Sequence, residues 1–374
     1  MEAANGGGCG SSSQQQGDQG ASLLQRRRAL GLGLAIGDSL GATSEFQIPR
    51  EVTKNCVERY PGWPAKLVGG GKAHWRLGAP TDDTEMAMGI LRAVHNAEGK
   101  WDAQGCARQW RAWMSTMPKD IGHTTRMALN AVGEAVEQPY HGGLVIWRRN
   151  TGNAANGSLM RNGVVPALFY QEDQEIEALD VTVLHSIITH YGPLPVLTCA
   201  LHTLLIRDAL LNPSSATRPP TMEDIKQLVQ VRWKRWKEST TNEPAKEWLR
   251  NIGKKELELQ EQKLLSELKG FESFDPFRYD YRGCSGYCVL GLKIALWALY
   301  WSFREDHPPL AEWLPEWPFE KHGFETLMWV VLIGADADTN GAIAGALLAA
   351  YHPDIPSTLQ KGLFVKPLLE QYIQ

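Results

Sequence analysis

DADTNGAIAGALLAAY (336–351) opens with two carboxylates in three residues and then runs through Gly341–Tyr351 with small or apolar side chains only. Apolar residues recur there at i, i+3 and i+4, the repeat of a helix, and the alternation of a strand is missing. The same period governs Thr84–Val94, Thr124–Val136, Asp180–Thr189, Pro195–Leu211, Tyr287–Trp301 and Phe324–Ile333. β-Branched period-2 runs are scarce. The expected class is all-α: a large orthogonal helical bundle of more than four helices, one domain over residues 23–374 with an insertion.

Residues 1–22 are rich in Gly, Ser and Gln and offer little to bury, so they read as a disordered leader. Arg26, Arg27 and Arg28 before Ala29–Ile36 mimic the n- and h-regions of a signal peptide. The run stops at Gly37-Asp38 and sits behind a long polar stretch, which argues against that reading. Residues 212–277 change character, with Pro219-Pro220 followed by VRWKRWKES and KKELELQEQKLLSELKG, and read as a mostly solvated, charged helical insertion. Its basic run interleaves two Trp residues, but acidic residues follow at once, as on an ordinary amphipathic surface helix.

The chain has 374 residues with 38 Lys+Arg against 42 Asp+Glu, a formal charge of −4 that lacks the cationic excess of a nucleic-acid binder. No apolar run is expected to reach the roughly 20 residues of a membrane span. Six scattered cysteines without a CxxC pair read as reduced thiols. The expectation is a cytoplasmic monomer with neither nucleic-acid nor membrane partner, organelle targeting by the leader being left open.

Familiar motifs fail. Gly31-Leu32-Gly33 lacks GxGxxG spacing, Gly69-Gly70-Gly71-Lys72 lacks Walker spacing, and there is no GxSxG. His185 and His190 are five apart, a poor separation for two ligands on one helical face, and His185 reads as a packing residue. Two carboxylate-dense clusters stand out, each at the threshold of an apolar helix: Thr81-Asp82-Asp83-Thr84-Glu85 and Asp336-Ala337-Asp338-Thr339-Asn340. Helix capping accounts for one carboxylate in each. A second carboxylate per cluster, with Gly334 and Gly341 flanking the latter, points further. Four carboxylates in one cleft repel, two divalent cations neutralise them, and all-oxygen ligands favour Mg²⁺ or Mn²⁺ over zinc. Two other segments carry chemical character: GDSLGATSEF (37–46), otherwise a helix end, and GNAANGSLMR (152–161), whose amides at a helix start suit a phosphate.

In this order the segments resemble the ADP-ribosylglycohydrolase family, and within it the dinitrogenase-reductase-activating and ADP-ribosylarginine hydrolase branches. The resemblance rests on GLGLAIGDSLGATSEF (31–46), HWRLGAPTDDTEMAMG (74–89), NGSLMRNGVVPAL (156–168), SIITH (186–190) and IGADADTNGAIAGALLAAYH (333–352), with weaker echoes in DIGHTTR (120–126) and GYCVLGLKIALWAL (286–299). It implies metal ligands Thr81, Asp82, Asp83, Asp336, Asp338 and Thr339, and an acidic residue beside them at Glu45. Asn156, Gly157, Ser158, Leu159 and Met160 match the loop that wraps ADP-ribose, His190 a histidine near that pocket, and Tyr287 a segment that contacts ligand. Asp83, Glu45 and Asp120 are the alternatives for the base. Ala335 and Ala155 replace glycines usual in the family.

The implied reaction is removal of ADP-ribose from a modified protein, with arginine guanidinium as the first linkage. ADP-ribosyl-serine and O-acetyl-ADP-ribose are the alternatives, and a non-catalytic ADP-ribose binder or structural protein is the rival of a different class.

Overall fold

A computed structural model describes residues 12–133, 136–212, 214–306 and 323–374, with side chains from residue 23 onward. The helices that matter here are α1 (Ser12–Gly41), α2 (Asp82–Asn96), α3 (Ala103–Ser115), α4 (His123–Val132), α5 (His141–Arg149), α6 (Glu175–Ile187), α7 (Pro193–Leu211), α8 (Glu243–Ile252), α9 (Lys254–Leu268), α10 (Cys288–Trp301), α11 (Leu327–Leu332) and α12 (Ala337–Tyr351). Two isolated bridges, Gly70 with Trp75 and Ala155 with Tyr287, are the only extended pairing among the described residues. The all-α expectation holds. Of the leader expected over residues 1–22, residues 1–11 lie outside the described residues, and α1 is already helical from Ser12.

One helix pair sets the geometry. On α1, Gly33, Gly37 and Gly41 share a face at spacing four, and on α12 Ala337, Gly341 and Gly345 do the same. The two faces meet antiparallel with their backbones in contact. A β-carbon on Gly37 would lie 1.9 Å from the Gly341 carbonyl oxygen, one on Gly33 2.2 Å from that of Gly345, and one on Gly41 2.1 Å from that of Ala337. Glycine inside a helix costs about 1 kcal/mol against alanine. Here that cost permits an approach that no larger residue allows, and it brings the end of α1 to the start of α12.

The expectation that no apolar run nears membrane-spanning length is corrected by the 19-residue α7, in which a window of 18 consecutive residues reaches a mean hydropathy of 1.5. Its apolarity serves the core, since 89% of that window is buried. The arginine triad that mimics a targeting signal is also structural. Arg26 donates to the Ala209 and Ala350 carbonyls in the last turns of α7 and α12, Arg27 to Ala167 and Gln374, and Arg28 to Ile373 and Glu370. Three guanidiniums thus satisfy carbonyls that helix ends leave without partners.

The insertion is not mostly solvated. Trp233, Trp236 and Trp248 are buried, the first two stacked with centroids 4.4 Å apart and the third edge-on to Trp233 at 6.4 Å. Each indole N–H finds an acceptor: Glu261, Asp180 and the Tyr191 carbonyl respectively. The apolar faces of α8 and α9 pack on α6 and α7. Within the basic run, Arg232 and Arg235 pair with Glu175, and Lys237 pairs with Glu261. Three of the run's cations are thus engaged by carboxylates of the chain.

Replacing Gly37 by alanine is expected to destabilise the chain by about 3 kcal/mol or more, because backbone must move on both helices. Gly152, whose nearest neighbour to an added β-carbon is the Asn150 Oδ1 at 3.4 Å, serves as the control and should change by no more than about 0.5 kcal/mol. Denaturant midpoints check both, and equal midpoints for the two variants would contradict the close crossing.

Candidate active site

The crossing puts Asp38, in the last turn of α1, beside the start of α2. Its carboxylate accepts from the Thr81 amide (3.0 Å), the Thr84 amide (3.1 Å) and the Thr84 hydroxyl. Asp38 therefore caps α2 from another helix. Burial pushes its carboxyl up to about 6, against the pull of those donors. Thr81 makes no cap bond; its hydroxyl donates to Asp83 Oδ2 at 2.8 Å. Asp336, at the N-cap of α12, makes none either. Capping thus does not account for the clusters. Sequence reasoning assigned Asp38 only to a helix end, although a lone carboxylate inside an apolar helical run was the available signal.

Past Gly41 the chain turns and pairs with the loop before α12. The Phe46 amide donates to the Ala335 carbonyl at 2.8 Å and the Ala335 amide to the Gln47 carbonyl at 2.7 Å. Phe46 and Ala335 both adopt left-handed backbone, with φ of 60° and 56°, an uncommon state for residues with a β-carbon. This pairing swings Glu45 over the second cluster. Oxygens of Glu45, Asp336 and Asp338 all lie within 4.8 Å of one another, a grouping able to hold a metal ion.

A cavity of about 330 Å³ opens over these groups. Of the expected residues, Glu45, Asp82, Asp120, Asn156, Gly157, Met160, His190, Asp336, Asp338 and Thr339 line it. Asp120 comes from the loop before α4, and the Gly122 amide donates to Asp82 Oδ2 at 3.2 Å. Asn156 Nδ2 donates to Asp336 Oδ2 at 2.7 Å.

Other expected residues lie elsewhere. Thr81 and Asp83 sit buried behind the lining; Asp83 Oδ1 has no hydrogen-bond partner. Ser158 turns inward to the Ser186 hydroxyl at 2.9 Å, and Leu159 belongs to the core. The 152–161 loop leads into a 3₁₀ turn, Asn162–Val164, instead of the expected helix start, and the Leu159 and Met160 amides are taken by the Asn156 carbonyl. Among the described residues, the Gly157 and Ser158 amides have no acceptor.

Tyr287 does not line the cavity, because its hydroxyl donates to Glu267 Oε2 of α9 at 2.8 Å. Its neighbours Ser285 and Gly286 line it instead, and the Asn156 amide bonds the Gly286 carbonyl at 3.0 Å. The insertion therefore buttresses the turn that faces the carboxylates. Phe46 and His123–Thr125 line the cavity without having been singled out. His185 is a packing residue, its Nε2 2.9 Å from Asn162 Oδ1.

Burial is the first cause of every acid's shift at this site. It raises Asp82 to about 8, with Asp120 adding to the effect, and Glu45 to about 10, with Asp120, Asp336 and Asp82 adding theirs. Asp336 rises to about 6, and Asp83 and Asp338 rise well above the ordinary range. Carboxylates so crowded, one buried oxygen without any donor, and an all-oxygen ligand set fit hard divalent cations.

An acid whose folded pKa is raised holds its proton more tightly folded than unfolded. Its contribution is fullest below the unfolded value near 4 and is lost as pH rises toward the folded one. In EDTA, Asp82→Asn should therefore gain stability over the natural chain, and the gain should grow by more than about 1 kcal/mol from pH 5 to pH 8. Melting curves at the two pH values check this. A gain that shrinks with pH would contradict the crowding.

The chain matches the ADP-ribosylglycohydrolase family profile over residues 19–374. It is 32% identical over 174 residues, 46% of this chain and 54% of the relative, to the ADP-ribosyl-dinitrogen-reductase glycohydrolase of Rhodospirillum rubrum. It is 30% identical over 188 residues, 48% and 45%, to the ADP-ribosylarginine hydrolase Tri1 of Pseudomonas putida (strain GB-1). Each of these alignments spans about half of the relative's length. The Tri1 of Serratia proteamaculans (strain 568) matches at 25% over 362 residues, 94% of this chain and 76% of that one. A solved structure described as an ADP-ribosylglycohydrolase-related protein complex superposes with a TM-score of 0.60 at 23% identity, covering 94% of this chain and 96% of its own, which shows a shared fold. With the profile spanning nearly every residue and the fold shared end to end, the chain belongs to the ADP-ribosylglycohydrolase family of hydrolases.

Proposed function

We propose that this chain hydrolyses the N-glycosidic bond between ADP-ribose and a protein arginine, with two divalent cations, Mg²⁺ or Mn²⁺, held by Thr81, Asp82, Asp83, Asp336, Asp338 and Thr339. The observation that carries this reading is the meeting of Asp82 from one acidic helix threshold, Asp336 and Asp338 from the other, and Glu45 in one cavity. When bound, the cations offset the carboxylate charge and act as Lewis acids toward ribose hydroxyls and water. The arginine linkage is supported by the relatives, one of which is an ADP-ribosylarginine hydrolase.

The protein's own groups do the rest. Asp38 fixes the turn that carries Asp82 and Asp83, and Asn156 fixes the Asp336 carboxylate. The unbonded Gly157 amide and His190, both in the cavity lining, hold the ADP-ribose. Hydrolysis needs a group that takes a proton from water while the guanidine leaves as the neutral base after accepting one. Glu45 and Asp120, which line the cavity, take this role in the proposal, and Asp83, buried behind the lining, serves as a holding group.

Release of ADP-ribose from arginine-modified protein tests the proposal, with serine-linked protein and O-acetyl-ADP-ribose run in parallel. Asp336→Asn should lower the rate by roughly 100-fold or more, and EDTA should abolish it until Mg²⁺ or Mn²⁺ is restored. Turnover indifferent to both changes would overturn the cation site, and turnover confined to another linkage would overturn the arginine assignment.

A further inference from the structure

His190 ends a short buried relay. Arg161 is fully buried, its guanidinium 4.0 Å over the Trp110 ring, and among the described residues no carboxylate forms an ion pair with it. Its Nη1 donates to Met86 Sδ (3.3 Å), and its Nη2 donates to the His185 carbonyl (3.1 Å) and to Thr189 Oγ1 (2.7 Å). Thr189 Oγ1 in turn lies 2.8 Å from His190 Nδ1.

The donor inventory decides the direction of this chain. A guanidinium only donates, so Thr189 Oγ1 must accept from Arg161. The oxygen's second lone pair could also accept an Nδ1–H, but among the described residues the hydroxyl hydrogen has no acceptor other than His190 Nδ1, so the arrangement that pairs every donor has Thr189 donating to Nδ1. A neutral imidazole that accepts at Nδ1 carries its hydrogen on Nε2. That edge of the ring faces the cavity wall at Gly157: a β-carbon there would lie 2.8 Å from His190 Cε1 and 3.0 Å from Nε2. Burial, with the Arg161 charge nearby, pushes the ring's pKa down to about 3, in keeping with a neutral imidazole.

We infer that Arg161 and Thr189 are positioning residues that lock His190 in the Nε2–H tautomer, making it a fixed neutral donor to an acceptor atom of the bound ligand and not a base. The consequence for ligand binding rests on the ADP-ribose reading above; the tautomer does not. The relay also supplies a reason for burying an arginine without a carboxylate. A carboxylate partner would stabilise extra positive charge nearby, whereas this arginine orders a hydroxyl and disfavours imidazolium.

The test is nitrogen NMR of the full-length chain with labelled histidine, the His190 signals being identified by their loss in His190→Gln. The natural chain and Thr189→Ser should both show a bare Nδ1 and a protonated Nε2. In Thr189→Val, which removes the hydroxyl and keeps the bulk, the signals should move toward a mixture of tautomers. Calorimetric binding of free ADP-ribose should then weaken about 5- to 10-fold, returning in Thr189→Ser, while Mg²⁺ binding is unchanged. An Nδ1–H or doubly protonated His190 in the natural chain would overturn the relay, even if Thr189→Val fails to fold. So would a folded Thr189→Val with unchanged tautomer and affinity. A natural chain with the expected tautomer that binds no ADP-ribose would support the relay and count against the function proposed above.

Discussion

The backbone contact between α1 and α12 is the constraint on which the site depends. Three residues on each helix meet with no side chain between them, so Gly41 lies against Ala337 at the end where both helices carry carboxylates. From there the geometry follows. Asp38 reaches the start of α2 and caps it, and the chain beyond Gly41 pairs with the loop at Ala335. Glu45 is delivered above Asp336 and Asp338. A wider helix separation would leave each acidic cluster as an ordinary helix threshold.

What the crossing assembles is electrostatically costly. Buried acids press on one another, and the helix dipoles relieve them only weakly because each is worth about half a charge. The structure surrounds this acidic half with groups of the opposite kind. Asn156 donates to Asp336 and the Gly122 amide to Asp82, and Gly157, whose amide is unbonded, and His190 line the same cavity. The cavity therefore combines crowded carboxylates suited to cations with the unbonded Gly157 amide and a histidine in its lining. That combination is what the proposed sugar-nucleotide site rests on.

Much of this was legible in the sequence. The 3.6 period located seven of the helical stretches, though not α3 or α5, and two carboxylate pairs at helix thresholds marked both halves of the site. Glu45, Asp120 and His190 were carried by resemblance alone, and the cavity does bring them together. What was not legible depended on three-dimensional neighbours. Asp38 reads as part of an apolar helix until α2 is placed against it. The insertion reads as solvated because composition shows its charges but not that Arg232, Arg235 and Lys237 pair internally while the tryptophans between them turn inward. Tyr287 reads as a ligand contact because sequence does not reveal that Glu267 takes its hydroxyl. Likewise, α7 passes for a membrane span by length and hydropathy, and only its burial assigns it to the core.

The central claim is that two distant acidic clusters form one cation site beside an ADP-ribose pocket. Titration of the metal-free chain with Mn²⁺, followed by electron paramagnetic resonance with and without ADP-ribose, tests it most directly. About two bound Mn²⁺ per chain are expected, with loss of binding when Asp83 or Asp336 becomes asparagine and a changed spectrum on adding ADP-ribose. No bound Mn²⁺, or binding that survives both substitutions and ignores ADP-ribose, would contradict it.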